Sequence, residues 1–115
     1  MTDSPIARHT LLMSIHPEHA ERIFSGQKTV ELRRRRPRVL AGNAVVLYVS
    51  SPVRAVMGSF IVEKVVEGKP DDLWPQVRRR CGLSREAFDA YFRGATTAFG
   101  IFFRGASRWE RPISL

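Results

Sequence analysis

Three ionisable residues, Lys28, Glu31 and Arg33, lie in one short stretch of the chain, just after Gly26 and at the start of an alternating apolar pattern. In an extended strand Glu31 and Arg33 project from the same face, about 6 to 7 Å apart. Lys28 lies where the chain enters that strand. A carboxylate between two cations stays ionised. It can accept hydrogen bonds from the exocyclic amine of a nucleobase while the cations bind phosphate, carbonyl or ring-nitrogen acceptors.

A catalytic interpretation of the same residues is also open. Ser14 and His16 share one face of a predicted strand immediately upstream. Cleavage of RNA requires a base, an acid and a cation near the phosphate, and His16, Glu31 and Lys28 include such groups. A carboxylate held between two cations is a weak base, which favours recognition over proton transfer. The non-functional alternative is an ion pair between Glu31 and Arg33 on a solvated sheet face.

Metal and disulfide chemistry are not expected. The chain has one cysteine, Cys81, which excludes an internal disulfide and a zinc site built from several cysteines. His9 and His19 have no partner at the spacing of metal ligands, so we expect both on the surface. We therefore predict no metal and no cofactor.

The chain is strongly basic, which favours a polyanionic partner. Its 115 residues include 19 Lys and Arg against 11 Asp and Glu, a formal net charge of +8. All but three of the basic residues are arginines, whose guanidinium groups bind phosphate bidentately and stack on bases. A GC-rich genome would produce the same bias without any function. The charge predicts a nucleic-acid partner.

Two arginine clusters extend this basic character. After Arg33 the chain continues with Arg34, Arg35, Arg36 and Arg38, which either continue a phosphate-binding track, with Arg35 as a predicted contact, or form a solvated loop. The second cluster, Arg78 to Arg80, is predicted on a helix. Successive helical residues turn through about 100°, so only part of this cluster can face one ligand.

Apolar periodicity predicts the elements that position these residues. A short strand over 11–16 stops at Pro17, which begins an amphipathic helix over 17–25. Residues 29–33 form a strand with Val30 and Leu32 on its buried face. Residues 44–49 form a strongly apolar strand, and residues 53–66 form one long strand bent at Gly58.

The second half of the chain is predicted to contain two helices and two closing strands. The first helix is capped by Asp71 or Asp72 and runs to Cys81, and the second is capped by Ser84. Tyr91 lies on the apolar stripe of this second helix. Its ring either packs in the core with a bonded hydroxyl or stacks on a base. Strands over 98–103 and 107–115 are joined near Gly105.

Together these elements predict an α+β fold: a small curled sheet or β-barrel of five or six strands with about three short helices. A single domain is expected over 11–115, after a polar tail over 1–10. Runs of about 18 apolar residues are missing, as is a basic N-terminal stretch leading into an apolar one. We therefore expect neither a membrane span nor a secretory signal, and a cytoplasmic location.

The stretch from Ser25 to Arg33 resembles the signature of the ASCH domain, a member of the PUA-like superfamily. The signature is G-x-K-x-x-E-x-R, and it is matched by Gly26, Lys28, Glu31 and Arg33. The segments 14–17 and 48–52 and the order of predicted elements agree as well, over nearly the whole chain. The resemblance implies a PUA-like β-barrel and an RNA-binding cleft lined by the signature residues, to which Ser50 and Ser51 also contribute.

The resemblance leaves binding and catalysis open. Small bacterial ASCH proteins hydrolyse N(4)-acetylcytidine with a lysine, a threonine three residues later and a more distant glutamate. This chain keeps Lys28, has Glu31 at the threonine position and has no counterpart of the glutamate in 76–82. Other ASCH relatives are nucleases. The favoured prediction is an RNA-binding, regulatory domain without catalysis, and the alternative is a ribonuclease or nucleoside amidohydrolase. A DNA-directed regulator is less favoured, since no helix pair has the polar recognition face of a helix-turn-helix.

Overall fold

A computed structural model of the protein describes residues 10–114. His9 and all of the predicted tail before Thr10 lie outside the described residues. The elements are, in chain order, β1 (Thr10–Ile15), α1 (Pro17–Phe24), β2 (Val30–Arg33), β3 (Ala44–Val49), β4 (Ala55–Gly68), α2 (Pro70–Val77), α3 (Arg85–Tyr91) and β5 (Ala98–Ser114). The predicted α+β class, with five strands and three short helices, is confirmed.

The strands form one mixed, curled sheet in the order β1-β3-β4-β5-β2. β1 runs parallel to β3, whereas the other neighbouring strands are antiparallel. β1 and β2 are the two edge strands, yet a guanidinium nitrogen of Arg33 on β2 donates to the carbonyl oxygen of Ser14 on β1 over 3.1 Å. The curl therefore brings the two edges within side-chain reach of each other.

Gly58 allows the sheet to bend at the middle of β4. The register between β4 and β5 shifts between Val56 and Gly58, as the predicted bend requires. A Cβ atom at position 58 would overlap the carbonyl oxygen of Ser107 and a ring carbon of Phe24. Only glycine therefore permits this close approach of β5 and α1 to β4.

The prediction of two closing strands is wrong. Residues 98–114 form one 17-residue strand, β5. Gly105 adopts a positive φ of 63°, which is typical of a turn. The chain nevertheless stays paired with β4 on both sides of Gly105, with Arg104 opposite Ile61 and Ser107 opposite Ser59. Gly105 thus accommodates an irregularity within a strand instead of reversing the chain.

The core consists of two apolar clusters, and the second of them fixes the faces of β2. One cluster packs α1 against β3, β4 and β5 and includes Ile23, Leu47 and Phe60. The other packs α2 and α3 against β2 and β5, and includes Val30 and Leu32. Because strand side chains alternate, burial of Val30 and Leu32 in this second cluster turns Glu31 and Arg33 to the opposite face.

The helix boundaries differ from prediction at α2. This helix begins at Pro70, with Lys69 and not Asp71 or Asp72 at its N-cap, and ends at Val77. The arginines at 78–80 therefore follow the helix and do not lie on it. The prediction for α3 is confirmed, since the Ser84 hydroxyl accepts a hydrogen bond from the Ala87 amide. None of the helices within residues 10–114 is long and apolar enough to cross a bilayer.

Candidate functional site

A cavity of about 250 Å³ opens where the edge strands β1 and β2 approach α1 and α3. We call this cavity the cleft. Seven of the residues predicted for the site line it: Ser14, His16, Lys28, Glu31, Arg33, Ser50 and Tyr91. His19, Leu83, Ile15 and Leu32 complete the lining. The curl of the sheet thus brings together side chains from both of its edges.

Lys28 is buried because the chain reverses directly after α1. Gly26 takes a positive φ of 87°, and the amide of Lys28 then donates back to the carbonyl oxygen of Arg22 over 2.9 Å. The next two amides, of Thr29 and Val30, donate to the carbonyl oxygen of Arg80. These bonds hold Lys28 between the end of α1 and the segment after α2, where it is only 2% exposed.

Lys28, Glu31 and Arg33 form one continuous polar network. The ammonium of Lys28 donates to the carbonyl oxygen of Cys81 over 2.8 Å and lies 3.3 Å from Glu31 Oε1. The other carboxylate oxygen, Oε2, accepts from the Arg33 guanidinium over 3.0 Å. Glu31 is 7% exposed, so this is not the solvated surface ion pair of the non-functional interpretation. The carboxylate is flanked by two cations, as the spacing predicts.

Arg33 has bonding capacity that the protein leaves unused. One terminal nitrogen binds both Glu31 and the Ser14 carbonyl oxygen. Within residues 10–114 its Nε is buried and has no hydrogen-bond partner. A buried N–H without a partner costs free energy. The side chain as a whole is 31% exposed, so the rest of the guanidinium is open to a ligand at the wall of the cleft.

His19 lies in the cleft, so its prediction as a surface residue is wrong. Burial of the ring lowers the pKa of His19 below its usual 6.5, and the charge of Lys28 lowers this pKa further. The imidazole is therefore neutral at pH 7. Its Nδ1 is buried and has no partner among the described residues. The ring of His16 lies 6.2 Å away, centroid to centroid.

His16 and Ser50 lie at the mouth of the cleft. His16 is the N-cap of α1, and its Nδ1 is 3.5 Å from the hydroxyl of Ser50, which follows β3. Ser51 is exposed and does not line the cleft. Of the two serines predicted here, only Ser50 is therefore brought to the site.

Tyr91 has the predicted hydrogen-bonded hydroxyl but is not a core residue. Its hydroxyl donates to the carbonyl oxygen of Leu32 over 3.1 Å. Burial raises the pKa of the hydroxyl above its usual 10.0, which keeps it protonated and donating at neutral pH. The residue is also 39% exposed and lines the cleft, so part of the ring remains open to a ligand.

In the arginine run after β2, some side chains bind other parts of the protein and others do not. Arg34 donates to the carbonyl oxygens of Tyr91 and Arg93 at the end of α3. Arg36 pairs with Glu67 and lies over the ring of Phe99. Arg35 is exposed, lies outside the cleft and makes no hydrogen bond or ion pair with residues 10–114. Arg35 is therefore not brought to the cleft itself.

The sequence signals for the missed residues are weak. His19 follows His16, the N-cap of α1, by three positions, which places both on one side of the first turn. This spacing is the one sequence signal that relates His19 to the cleft. Leu83 lies between Gly82 and the cap Ser84 and carries no polar group. The contact from Cys81 is made by its backbone carbonyl, which side-chain patterns do not reveal.

Metal ligation is not supported by the described residues. Between Thr10 and Ser114, no three His, Cys, Asp or Glu side chains cluster as metal ligands would. What the cleft offers is hydrogen-bond donors, one buried carboxylate, a neutral imidazole and an aromatic ring. Such a set suits a polar, partly aromatic ligand of the size of a nucleobase.

The curled sheet, with helices packed against it and a polar cleft at its approaching edges, has the architecture of a PUA-like domain. The chain belongs to the ASCH domain family, whose sequence profile matches residues 13–103. The resemblance carried by Gly26, Lys28, Glu31 and Arg33 is thus confirmed.

Two named proteins and one crystal structure are similar to this chain over more than nine tenths of its length. The ASCH domain-containing ribonuclease of Zymomonas mobilis is 36% identical over 115 residues, which is all of this chain and 76% of that protein. The crystal structure of ASCH from Zymomonas mobilis matches with a TM-score of 0.87 and 35% identity, over 94% of this chain and 75% of that one. The large ribosomal subunit protein uL22 of Ureaplasma parvum is 28% identical over 109 residues, 92% of this chain and 34% of that protein.

Proposed function

We propose that this ASCH domain binds single-stranded RNA and holds one unstacked nucleotide in the cleft. The observation that carries the proposal is the buried network of Lys28, Glu31 and Arg33 at the wall of a cavity of about 250 Å³. A cavity of this size accommodates a base and not a duplex. Sequence-specific recognition of RNA uses unstacked bases in this way.

Two members of the network have matching groups on a nucleotide. Glu31 can accept from an exocyclic amine, and the partly exposed guanidinium of Arg33 can donate to a carbonyl, ring nitrogen or phosphate oxygen. Tyr91 offers part of an aromatic face for stacking. Lys28 is already bonded to Cys81 and Glu31, so its contribution is to hold the carboxylate in place and balance its charge.

A second candidate function, ribonuclease activity, is favoured by two observations. The Zymomonas mobilis relative that spans this whole chain is named a ribonuclease. In addition, the imidazole of His19 is neutral and lines the cleft. A neutral imidazole can take the proton of a ribose 2′-hydroxyl, whose oxygen then attacks the adjacent phosphorus. A 2′,3′-cyclic phosphate forms, and the displaced 5′-oxygen takes a proton from water. The cation of Arg33 would balance the charge that develops on the phosphate.

Fluorescence anisotropy of labelled single-stranded RNA and duplex DNA, at several salt concentrations, tests the binding proposal. The wild type is expected to bind RNA more tightly than duplex DNA. Glu31→Gln and Arg33→Ala should weaken the affinity for RNA about tenfold or more, since each removes a charged hydrogen-bonding group from the cleft. Arg104→Ala is the control, because Arg104 is exposed on β5 and outside the cleft. Equal affinity for both polymers, unaffected by the cleft variants, would overturn the proposal.

Gel analysis of the RNA from the same reactions separates the two candidates. Intact RNA after prolonged incubation with the wild type indicates binding alone. Shortened RNA with the wild type, together with intact RNA from His19→Gln, indicates a ribonuclease that uses His19. Cleavage that persists in His19→Gln would contradict the role given to the imidazole.

A further inference from the structure

A second depression, of about 320 Å³, adjoins the cleft along β1. We call it the β1 groove. It lies between the edge strand β1, which contributes Leu12 and Met13, and the loop after β2, which contributes Arg35 and Arg38. Ser14 and Arg33 line both the groove and the cleft. A ligand in the cleft can therefore continue directly into the β1 groove.

The charge of the β1 groove is of one sign. Arginines at 33, 35, 36 and 38 line it, and none of its described lining residues is acidic. Arg36 is paired with Glu67. Arg35 and Arg38 are exposed and make no hydrogen bond or ion pair with residues 10–114. Two unpaired guanidinium groups on one short loop are thus directed to the surface beside the cleft.

The other wall of the β1 groove is apolar and exposed. Leu12 is 61% exposed and lies on the edge strand β1, which pairs on one side with β3. A cationic wall opposite an apolar one matches the two surfaces of a single-stranded nucleic acid, since phosphates contact the arginines and sugars or bases cover the leucine.

We infer that the β1 groove binds the nucleotides next to the one in the cleft, so that the ligand is an RNA strand of several nucleotides and not a free nucleoside. Arg35 and Arg38 contact the phosphates of these flanking nucleotides, and Leu12 contacts a sugar or base. The inference rests on the proposed binding of RNA in the cleft and extends the contacts beyond one nucleotide.

The test compares a labelled RNA octamer of mixed sequence with labelled mononucleotides, which can occupy the cleft without reaching the β1 groove. The Arg35→Ala/Arg38→Ala double variant should weaken octamer binding about tenfold at 0.1 M salt, since it removes two exposed phosphate contacts. The double variant should make the negative slope of log affinity against log salt shallower by about 1.4, which is about 0.7 for each lost contact. Mononucleotide affinity should stay unchanged. Arg104→Ala/Arg111→Ala is the matched control, because it removes the same charge outside the β1 groove.

The variants distinguish failure of this inference from failure of the proposed function. If Arg33→Ala weakens octamer binding while the Arg35→Ala/Arg38→Ala variant behaves like the control, RNA binds the cleft and the β1 groove takes no part. If the wild type binds the octamer no better than a mononucleotide, the inference is also overturned. If Arg33→Ala leaves octamer affinity unchanged, the proposed function fails, and the inference fails with it.

Discussion

At the scale of single residues, the buried ammonium of Lys28 sets the properties of the cleft. A charge removed from water is tolerated when its hydrogen bonds are satisfied inside the protein. Lys28 meets this condition through the Cys81 carbonyl and the Glu31 carboxylate. Glu31 in turn binds Arg33, which remains 31% exposed at its side chain. The network therefore connects a buried cation to the open wall of the cleft.

Removal of Lys28 or of Glu31 should destabilise the protein more than removal of one partner of a surface ion pair does. We expect Lys28→Met to lower the free energy of unfolding by about 3 kcal/mol, because Glu31 stays buried with one cation fewer. Urea denaturation measures this change. In a double-mutant cycle, Lys28→Met/Glu31→Gln should lose less than the two single losses added together, by at least about 1 kcal/mol. Simple additivity would show that the two groups are not coupled.

His19 should make stability depend on pH. Burial lowers its folded-state pKa below the unfolded value of 6.5, so the unfolded state binds more protons between these two values. Stability therefore falls as pH drops below 6.5 through the lowered pKa, and the loss is complete below it. Melting temperatures at about pH 7.5 and pH 5 should differ less for His19→Gln than for the wild type. His16→Gln, at an exposed position, is the control. An unchanged pH response in His19→Gln would contradict the burial of the ring.

The sequence predicts which main residues form the cleft, but it does not predict how deeply they are buried. Strand alternation places Glu31 and Arg33 on one face, and the signature spacing adds Lys28. Burial of Lys28 depends on the backbone of residues 80 and 81, which is distant in sequence and makes its contacts through carbonyl oxygens. The same long-range packing encloses His19, which is why its sequence context alone predicts a surface position.

At the scale of elements, glycine positions determine how the sheet curls around the cleft. Gly58 lies against both β5 and α1, where a methyl group has no space. This contact keeps α1 close to β4 and thereby keeps His16 and His19 beside the end of β1. The bend at Gly58 was predictable because a glycine interrupts an otherwise β-rich stretch.

Substitution of Gly58 should therefore be costly. Gly58→Ala is expected to lower the free energy of unfolding by about 2–3 kcal/mol, through overlap with backbone and ring atoms that cannot both move away. Gly68→Ala is the control at the end of β4, where an added Cβ meets nothing within 4 Å. It should change stability by less than about 1 kcal/mol. Similar unfolding midpoints for the two variants would contradict the close packing described at Gly58.

Errors at the element scale arise where local signals and tertiary pairing disagree. Gly105 has the positive φ of a turn, yet β4 is long enough to pair with both sides of it, so one strand replaces the predicted two. At α2, Pro70 begins the helix because proline is favoured in the first turn, and the acidic residues that follow lie inside the helix. The neighbouring strand thus decides at β5, whereas the local preference of proline decides at α2.

At the scale of the whole molecule, the net charge of +8 and the cleft make separate contributions to binding. Charge alone attracts any nucleic acid, and this attraction falls steeply with salt. The cleft adds a contribution that depends on the shape and hydrogen-bonding groups of an unstacked base, which is less sensitive to salt. The composition predicts the first contribution, whereas the second requires the curled sheet that joins residues from both of its edges.

The most direct test of the cleft as the RNA site is a titration of isotope-labelled protein with an RNA octamer, followed through backbone amide chemical shifts. We predict that the largest shift changes fall on residues 14–19, 28–33 and 82–91, which surround the cleft. Shift changes in the loop at 35–38 should accompany them only with the octamer and not with a mononucleotide. Changes confined to exposed arginines outside the cleft, such as Arg104 and Arg111, with the cleft amides unmoved, would contradict the account.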